Sequence, residues 1–344
     1  MMSIYNFAEY DIRQVDDLEA VWNGLQGPDM SYFQTFGWYR MQTSAFPADC
    51  RRFVTRFVVI SKGDKPVMIA PLWIVRKTFN FLNKKGVYIF GRGGWTDYLD
   101  FIYKEFDSEA VKALFAYISE KYNQHNWFLE NIREASPLYA YVKDNVEVQS
   151  QKSTKCVKLQ LPESEELYNK LLSKRSRQNI RTARNRMAKN NIVPETVFSG
   201  YSAQDALDAE AMRAVRVKRK VAAYALWKRM ALKVLNKLWF NGPKYFPLRD
   251  TKSSDMLSLR NGGEIMAYFN YGVNAVGTEA VMMAVGTADK YQWFSPGIVA
   301  MYDFIIKTIN DKSLKTIDFT RGDEPYKYAL GGTDHFIHSL SFKV

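Results

Sequence analysis

The sequence predicts a mixed α/β protein of two lobes, residues 1–150 and 151–344, each with a twisted mixed β-sheet flanked by helices. The chain has 344 residues, enough for two hydrophobic cores at about 150 residues per domain. Hydrophobic residues make up 47% of it and aromatic residues 15%, a composition that excludes a disordered chain. Strand-like hairpins alternate with helical segments, and the order of these elements is similar in both halves.

In the first half, apolar residues at helical spacing predict a helix over 15–25, which ends at Gly27 and Pro28. A second short helix follows and stops near Pro47. Two apolar runs around the turn at 62–64 predict a hairpin. The predicted strands of this half are 53–61, 67–75, 86–90, 98–103 and 126–131, with a turn at 91–94 and a helix at 108–122.

The second half follows a similar order. A helix opens at Pro162 and Glu163, where acidic residues suit the positive end of a helix. The turn at 261–263 predicts a hairpin. The predicted strands are 155–161, 192–198, 256–260, 265–271, 278–285, 314–319 and 336–344, and the further helices are 173–190, 203–220, 222–238 and 295–310.

The net charge of the protein is concentrated in one segment. The chain carries 48 Lys and Arg against 36 Asp and Glu, a formal charge of +12. Residues 173–237 contain sixteen of the basic and four of the acidic residues, so this segment alone accounts for the whole excess. Such a block favours an anionic partner, namely a phosphorylated cofactor, a nucleic acid, an acidic glycan or an anionic membrane surface.

Several other classes of protein are disfavoured. The N-terminus does not have the pattern of a secretory signal, and no apolar run reaches the 18 or so residues of a membrane span. We therefore expect a cytoplasmic protein, and peripheral contact with a membrane stays open. Two cysteines cannot form a disulfide framework, and the three histidines are not spaced as a metal set, so no metal is expected.

The segment from Tyr291 to Gly297 is the most informative for function. Ser295 is a candidate N-cap, Pro296 suits the first turn of a helix, and Gly297 allows close approach to the backbone. Together with Ile298 they predict free N–H groups at the positive end of a helix, where a pyrophosphate can bind. An ordinary Ser-Pro helix start is the competing interpretation.

A dense polar cluster follows the predicted strand 314–319. Asp318 and Glu324 are candidate acceptor-binding or proton-accepting groups, and Tyr326 is a candidate proton donor to a leaving thiolate. Arg321 and Lys327 are candidate ligands for anionic oxygens. A solvated turn held by salt bridges explains the same residues without chemistry.

The basic helix over 173–190 is a further candidate site. Arg177, Arg181 and Arg184 lie three and four residues apart and so share one helix face, from which they can clamp phosphates or a sugar acid. A merely solvated face is the alternative. The sequence contains no convincing serine nucleophile elbow or Cys/His pair, which disfavours a covalent acyl-enzyme.

At these residues the sequence resembles the acetyltransferases associated with cellulose biosynthesis, a branch of the GNAT superfamily. The matching pattern is Tyr-x-x-x-Ser-Pro-Gly, a helix, and then Asp-Phe-x-Arg-Gly-x-Glu-x-Tyr-Lys. It is carried by Tyr291, Ser295, Pro296, Gly297, Asp318, Phe319, Arg321, Gly322, Glu324, Tyr326 and Lys327. Segments 31–38 and 172–181 resemble the family's N-terminal motif and its basic helix.

This resemblance implies a degenerate N-terminal GNAT-like lobe and an active C-terminal one that contains the basic helices. It implies acetyl-coenzyme A or another acyl-coenzyme A as donor, with direct transfer to an amine or hydroxyl. The usual GNAT pyrophosphate loop, Gln/Arg-x-x-Gly-x-Gly/Ala, is absent, and residues 295–297 stand in its place. The Fem aminoacyl-transferases of peptidoglycan synthesis share the double-lobed outline but use aminoacyl-tRNA.

The leading hypothesis is therefore an N- or O-acyltransferase, most simply an acetyltransferase. Its expected acceptor is a sugar, an envelope precursor or another small, glycan-linked or lipid-linked molecule, as in polysaccharide biosynthesis. The expected roles are donor binding by Tyr291, Ser295, Pro296, Gly297 and Ile298, catalysis by Tyr326, Glu324 and Asp318, and anion binding by Arg177, Arg181, Arg321 and Lys327. The alternatives are an aminoacyl-tRNA-dependent transferase whose basic block grips tRNA, and a non-catalytic module that binds nucleic acid or another anion.

Overall fold

The structure is a computed structural model that describes residues 4–45, 49, 52–77, 84–91, 96–198, 200–222, 230 and 254–344. The chain forms two compact units. The first consists of Met1–Cys156, Asn274–Val276 and His335–Val344, and the second of Val157–Val273 and Gly277–Asp334. The expected division at 150/151 remains a prediction about domains, and the last strand of the chain belongs to the first unit because it pairs there.

The described part of the chain contains twelve strands. They are β1 (Tyr5–Tyr10), β2 (Phe53–Lys62), β3 (Lys65–Val75), β4 (Gly86–Ile89), β5 (Asn126–Arg133), β6 (Val148–Gln160), β7 (Glu195–Val197), β8 (Asp255–Asn261), β9 (Glu264–Val273), β10 (Glu279–Thr287), β11 (Thr316–Arg321) and β12 (Thr333–Lys343).

The α-helices of the same residues are α1 (Glu19–Leu25), α2 (Phe36–Ala45), α3 (Ser108–Tyr122), α4 (Pro137–Asn145), α5 (Glu165–Leu171), α6 (Lys174–Lys189), α7 (Ala203–Ala222), α8 (Pro296–Asp311) and α9 (Pro325–Ala329). Short 3-10 helices lie at Ile12–Leu18, Tyr32–Gln34 and Asp289–Phe294.

The two units are built on the same strand order. In the first, β1, β2, β3 and β4 form an antiparallel meander, and β5 joins β4 in parallel. In the second, β7, β8, β9 and β10 form the meander, and β11 joins β10 in parallel. A helix connects each parallel pair, α3 in the first unit and α8 in the second. The predicted mixed α/β fold with helix-flanked sheets is confirmed.

Each unit buries its own core. In the first, the apolar face of α3 packs with β-strand residues such as Leu72, Trp127 and Phe342. In the second, Val299, Phe304 and other residues of α8 pack with Leu257, Phe269 and neighbouring strand residues. Burying these side chains is the main stabilising term of each unit, at about 25 cal/mol per Å² of apolar surface.

One irregularity of the second sheet positions the site. The parallel ladder between β10 and β11 covers only residues 279–281 and 316–318. Beyond it, β10 continues to Thr287 and β11 to Arg321, and a bulge interrupts the β9–β10 register between Met282 and Ala284. The carboxyl ends of two parallel strands therefore separate directly before the start of α8, which is where α/β sheets bind ligands.

The predicted elements are largely present, with informative exceptions. The predicted strand 98–103 is wrong: Ile102 makes only an isolated bridge with Ile69, and Tyr98 has a left-handed backbone with φ of 55°. The helix predicted to open at Pro162 begins later, because the Ser164 side chain caps it by accepting from the Leu167 N–H. Sequence patterns missed β1, α4 and α9.

Some predictions concern parts of the chain outside the described residues. These are most of the helix predicted at 222–238, residues 92–94 of the glycine turn, and the end of the second predicted helix near Pro47. The basic segment 173–237 is described only up to residue 222, apart from residue 199, and again at residue 230.

Candidate functional site

The second unit contains a cavity of about 820 Å³, within the size range of small-molecule sites. It lies at the separated end of β10, between α6, α7 and the start of α8, with Tyr326 of α9 in its wall. The lining residues are Asn179, Thr182, Ala183, Arg186, Met212, Arg216, Val285, Gly286, Thr287, Asp289, Gln292, Ser295, Pro296, Gly297, Ile298 and Tyr326.

The start of α8 presents free backbone donors to this cavity. Ser295 has a left-handed backbone, φ 52° and ψ 50°, and its N–H donates to the Gln292 carbonyl at 3.0 Å. Ser295 is the N-cap residue of α8, as predicted, but its side chain makes no capping hydrogen bond. Pro296 has no N–H, which leaves the N–H groups of Gly297 and Ile298 without a partner inside the helix. They lie at the positive end of a helix of 16 residues.

The end of β10 requires a glycine. A Cβ atom on Gly286 would lie 2.4 Å from Cε1 of Tyr268, closer than such atoms approach in proteins. Tyr268 is buried and its hydroxyl donates to the Ala209 carbonyl of α7 at 3.1 Å, so the ring is held in place. Tyr268 thus packs against the strand that lines the cavity and ties it to α7.

Two arginines bring positive charge to the cavity wall. Arg216 of α7 donates from Nη1 to the Val285 carbonyl of β10 at 3.0 Å. Arg186 of α6 donates to the Trp293 carbonyl at 3.2 Å, and its guanidinium lies 5.0 Å from the centre of the Trp293 ring. Each arginine has further N–H donors that can bind an anion.

The arginines expected to face the ligand have other positions. Arg177 donates to the carbonyls of Asn169 and Leu172 and so closes the end of α5. Arg184 pairs with Asp303 of α8 and lies over the Tyr302 ring. Arg181 is exposed and does not line the cavity. The reason is that Ile180, Ala183 and Met187 pack into the core, which turns a different face of α6 towards the cavity.

Of the expected catalytic residues Tyr326, Glu324 and Asp318, it is Tyr326 that lines the cavity. It lies in the first turn of α9, and its ring meets Phe319 of β11 edge-on at 6.3 Å. Burial, and next the Glu324 carboxylate, raise the pKa of the Tyr326 phenol well above its usual range. The phenol therefore stays protonated at physiological pH, as a hydrogen-bond or proton donor must.

Glu324 precedes Tyr326 by two residues at the start of α9, with about half of its side chain exposed, but it is not among the residues that line the cavity. Burial favours its neutral form, but the hydrogen bond from Lys327 and the Lys327 charge outweigh burial, so the pKa of Glu324 is lowered. A carboxylate with a lowered pKa is a weak base. It is well suited to accept a hydrogen bond from a bound molecule.

Lys327 has a structural position in place of the expected anion-binding one. Its side chain is 3% exposed, and Nζ donates to the carbonyls of Thr320, Arg321 and Gly322 at 3.2, 2.8 and 3.1 Å. It also pairs with Glu324 at 2.9 Å. The end of β11 and the residue after it thus surround the ammonium group, so that all of its donors are used and none is left for a substrate.

Asp318, Arg321 and Tyr291 do not line the cavity. Asp318 is 1% exposed and accepts from the Thr320 N–H at 2.7 Å, a hydrogen bond within the last residues of β11. Arg321 contributes its carbonyl to Lys327. Tyr291 is buried and its hydroxyl donates to Glu264 at 3.0 Å, which holds the 3-10 helix against the start of β9.

Sequence reasoning missed several cavity residues, chiefly Asn179, Thr182, Arg186, Arg216 and Gln292. On α6, positions 179, 182 and 186 follow helical spacing and flank the buried positions 180, 183 and 187. That pattern contains the signal, because polar residues beside a buried stripe lie at the rim of the packed face. Arg216 lies far along the chain from the rest, and no local pattern indicates it.

Two negative observations apply to the residues that the structure describes. No helix among them is long and apolar enough to cross a membrane. They also contain no group of three or more His, Cys, Asp or Glu side chains arranged to hold a metal ion.

Comparison with known proteins identifies the domain that contains this cavity. Residues 174–328 match the family model of the acetyltransferase (GNAT) domain. That range includes α6, the end of β10, the start of α8 and Tyr326. No curated protein sequence matches the chain. The resemblance to the narrower cellulose-associated branch is not confirmed.

Solved structures share the fold at low sequence identity. FemX has a TM-score of 0.59 at 10% identity and covers 97% of this chain and 96% of its own. The C-terminal domain of a putative lysylphosphatidylglycerol synthetase from Agrobacterium fabrum has 0.54 at 12%, covering 96% and 91%. L-PGS from Bacillus licheniformis has 0.53 at 11%, covering 95% and 91%. At such identities these structures show the fold alone.

The function class follows from the domain and from the cavity that it encloses. The domain match spans the residues that build both the cavity wall at the start of α8 and the wall that carries Tyr326. Residues 174–328 match the acetyltransferase (GNAT) domain model, and the protein is an acyltransferase.

Proposed function

We propose that the protein transfers an acyl group, most simply acetyl, from an acyl-coenzyme A directly to an amine or hydroxyl acceptor. The observation that carries this proposal is the pair of free N–H groups of Gly297 and Ile298 at the rim of the cavity. Backbone donors at a helix N-terminus bind phosphate groups by hydrogen bonding and by the helix dipole. Coenzyme A supplies a diphosphate, and as an intracellular metabolite it favours a cytoplasmic location.

The rest of the cavity supports a donor that runs from α8 towards Tyr326. Arg186 and Arg216 add two cations to the wall, and an anionic donor needs such charges. The separated end of β10 offers backbone groups to an extended arm. Arg216 already bonds the Val285 carbonyl there, and a bound donor arm would compete for this acceptor.

The reaction that these residues support is a direct transfer. The acceptor nitrogen or oxygen attacks the thioester carbonyl, the carbon–sulfur bond breaks, and Tyr326 protonates the departing thiolate. The proton that the acceptor loses passes to solvent, and solvent reprotonates the Tyr326 phenolate. Glu324 orients the acceptor by accepting its proton in a hydrogen bond, a role that suits its lowered pKa and partial exposure. The described residues that line the cavity include no cysteine and no histidine, in keeping with a path without an acyl-enzyme.

In the first unit, α3 corresponds to α8, but the N–H groups at its N-terminus already have hydrogen-bond partners. Asp107 caps α3 by accepting from the N–H groups of Glu109 and Ala110, both at 3.1 Å. The Tyr5 hydroxyl donates to the same carboxylate at 2.8 Å. A carboxylate already occupies the position that a phosphate would take. We therefore propose that the first unit is a GNAT-like lobe without a donor site.

We propose an acceptor that is a small molecule or the amine or hydroxyl of a glycan- or lipid-linked precursor. The fold shared with a domain of lysylphosphatidylglycerol synthetase, whose name gives a lipid product, supports the lipid-linked case. Acetyltransferases of the GNAT type support the small acceptors.

A matched pair of variants at Ser295 tests the donor assignment. Asp and Asn are nearly isosteric, and both tolerate the left-handed backbone of this position and suit an N-cap. Ser295→Asp adds a charge beside the proposed phosphate site, whereas Ser295→Asn does not. We expect calorimetry to show acetyl-coenzyme A binding to the wild type and to Ser295→Asn, and binding at least tenfold weaker to Ser295→Asp.

The stability of the two variants is the internal control. A carboxylate at this helix end interacts favourably with the helix dipole by about 0.3–1 kcal/mol, so Ser295→Asp should not lower the melting temperature. Equal donor affinity of the two variants, or no acetyl-coenzyme A binding by the wild type, would remove the donor assignment.

An aminoacyl-tRNA donor is the second candidate. The observation that favours it is the exposed basic surface of α6, where Lys174, Arg175 and Arg181 are accessible. A filter-binding titration with tRNA distinguishes the two, because contacts with phosphates make the affinity fall steeply with salt. Tight, salt-sensitive tRNA binding together with no acetyl-coenzyme A binding would support this candidate, and salt-insensitive or absent binding would exclude it.

A further inference from the structure

Trp293 is an exposed aromatic side chain beside the cavity. Its side chain is 60% exposed, whereas the other tryptophans that the structure describes, Trp22, Trp38, Trp73 and Trp127, are buried. It lies in the 3-10 helix between two cavity residues, Gln292 and Ser295. An indole exposed beside a cavity is accessible to a bound molecule, and tryptophan is enriched at binding surfaces.

The ring of Trp293 is held in place from one side. The Arg186 guanidinium lies 5.0 Å from the ring centre and Nη1 donates to the Trp293 carbonyl at 3.2 Å. Phe294 meets the ring edge-on at 5.0 Å. A cation–π contact and an edge contact fix the orientation of the indole before any ligand arrives, which lowers the entropy lost on binding.

The neighbourhood also determines what the ring would bind. The free N–H groups of Gly297 and Ile298, two residues that line the cavity, follow Trp293 by four and five residues in the sequence. In a nucleotide, the base lies one sugar away from the phosphate, so a phosphate at α8 puts its base near this rim. Aromatic side chains stack on bases, and arginine binds phosphate oxygens.

We propose that Trp293 and Arg186 form a purine-nucleotide subsite at the mouth of the cavity, in which the base stacks on the indole and Arg186 binds a phosphate of the same nucleotide. The subsite rests on the proposed function, since coenzyme A carries an adenosine with a 3′-phosphate. It adds to that function a site for the nucleotide end of the donor, separate from the site of its diphosphate.

The test compares three ligands by calorimetry on the full chain. Coenzyme A and adenosine 3′,5′-bisphosphate contain the nucleotide, and 4′-phosphopantetheine does not. We expect Trp293→Ala to weaken the first two by about 5- to 150-fold, the range for losing one base stack, and to leave the third unchanged. Trp293→Phe should retain most of the affinity because a ring remains.

Two more variants test the role of Arg186 and provide a control. Arg186→Gln should weaken coenzyme A more than dephospho-coenzyme A, which lacks the 3′-phosphate. Leu167→Ala removes another exposed apolar side chain of the second unit that does not line the cavity, and it should change no affinity.

The outcomes separate this inference from the proposed function. Unchanged coenzyme A binding by Trp293→Ala, or an equal loss for 4′-phosphopantetheine, would overturn the subsite and leave the donor assignment intact. If the wild type does not bind coenzyme A, the donor assignment fails. In that case, adenosine 3′,5′-bisphosphate binding that is lost in Trp293→Ala would still support the nucleotide subsite. If the wild type does not bind adenosine 3′,5′-bisphosphate either, the subsite is overturned as well.

Discussion

Replacing Lys327 by methionine tests whether this residue supports the loop after β11 or binds a ligand. Its ammonium group contacts three backbone carbonyls, those of Thr320, Arg321 and Gly322, and the Glu324 carboxylate, all within 3.2 Å. Methionine has a similar length without the charge, so the variant removes these bonds and leaves little empty space.

The size of the effect follows from which partners are buried. Removing one member of a buried ion pair typically costs about 3–5 kcal/mol, because the remaining groups lose their partner. Here Glu324 is half exposed and regains water, so most of the loss comes from the three carbonyls. We therefore expect about 3 kcal/mol. For a unit of this size that lowers the melting temperature by roughly 6–12 °C.

Thermal unfolding followed by circular dichroism measures this shift, and Lys170→Met is the matched control. Lys170 also pairs with a glutamate, Glu166 at 2.6 Å, but both side chains are mostly exposed, at 69% and 77%. Such pairs contribute about 0.3–0.5 kcal/mol. Since each kcal/mol shifts the melting temperature by roughly 2–4 °C, the melting temperature of the control should fall by only about 1–2 °C. Equal shifts for the two variants, or a stable Lys327→Met protein with weaker donor binding, would refute the structural role.

Two further variants address the chemistry and the first unit. Tyr326→Phe should reduce the rate of coenzyme A release by about 10²–10⁴-fold and leave the calorimetric affinity for acetyl-coenzyme A nearly unchanged, because it removes only the proton donor; an unaltered rate would exclude that role. Asp100→Asn should alter the pH dependence of unfolding. Burial raises the pKa of Asp100 to about 6 despite hydrogen bonds from Ser136 and the Phe101 N–H. A carboxyl with a raised pKa holds its proton more tightly when folded, so the wild type should gain stability relative to the variant as pH falls from about 6 towards 4. A difference in melting temperature that stays constant with pH would contradict this.

Elements with complete local signals were predicted closely. The helix expected at 108–122 has those bounds, because Asp107 caps its start, its apolar residues repeat at helical spacing, and Asn123 ends it with a left-handed backbone. The segment 98–103 alternates like a strand but has no partner strand along its length. Whether an alternating segment joins a sheet depends on distant residues, which local patterns do not contain.

Some residues of the candidate site follow from the local sequence, whereas others depend on tertiary packing. Ser295, Pro296, Gly297 and Ile298 line the cavity as a consequence of one continuous sequence, a strand followed by a Pro-initiated helix. Arg186 and Arg216 come from two other helices, and their presence depends on how α6 and α7 pack against the second sheet.

The sequence by itself determined the mixed α/β class, the helix start at Pro296, the basic segment and the polar cluster before Tyr326, because backbone preference and hydrophobic period act over a few residues. Only the tertiary structure decided which cations reach the cavity and that Lys327 is buried beneath its own loop. The physical reason is that a charged helix has several polar faces, and burial of its apolar stripe selects the one that faces the site.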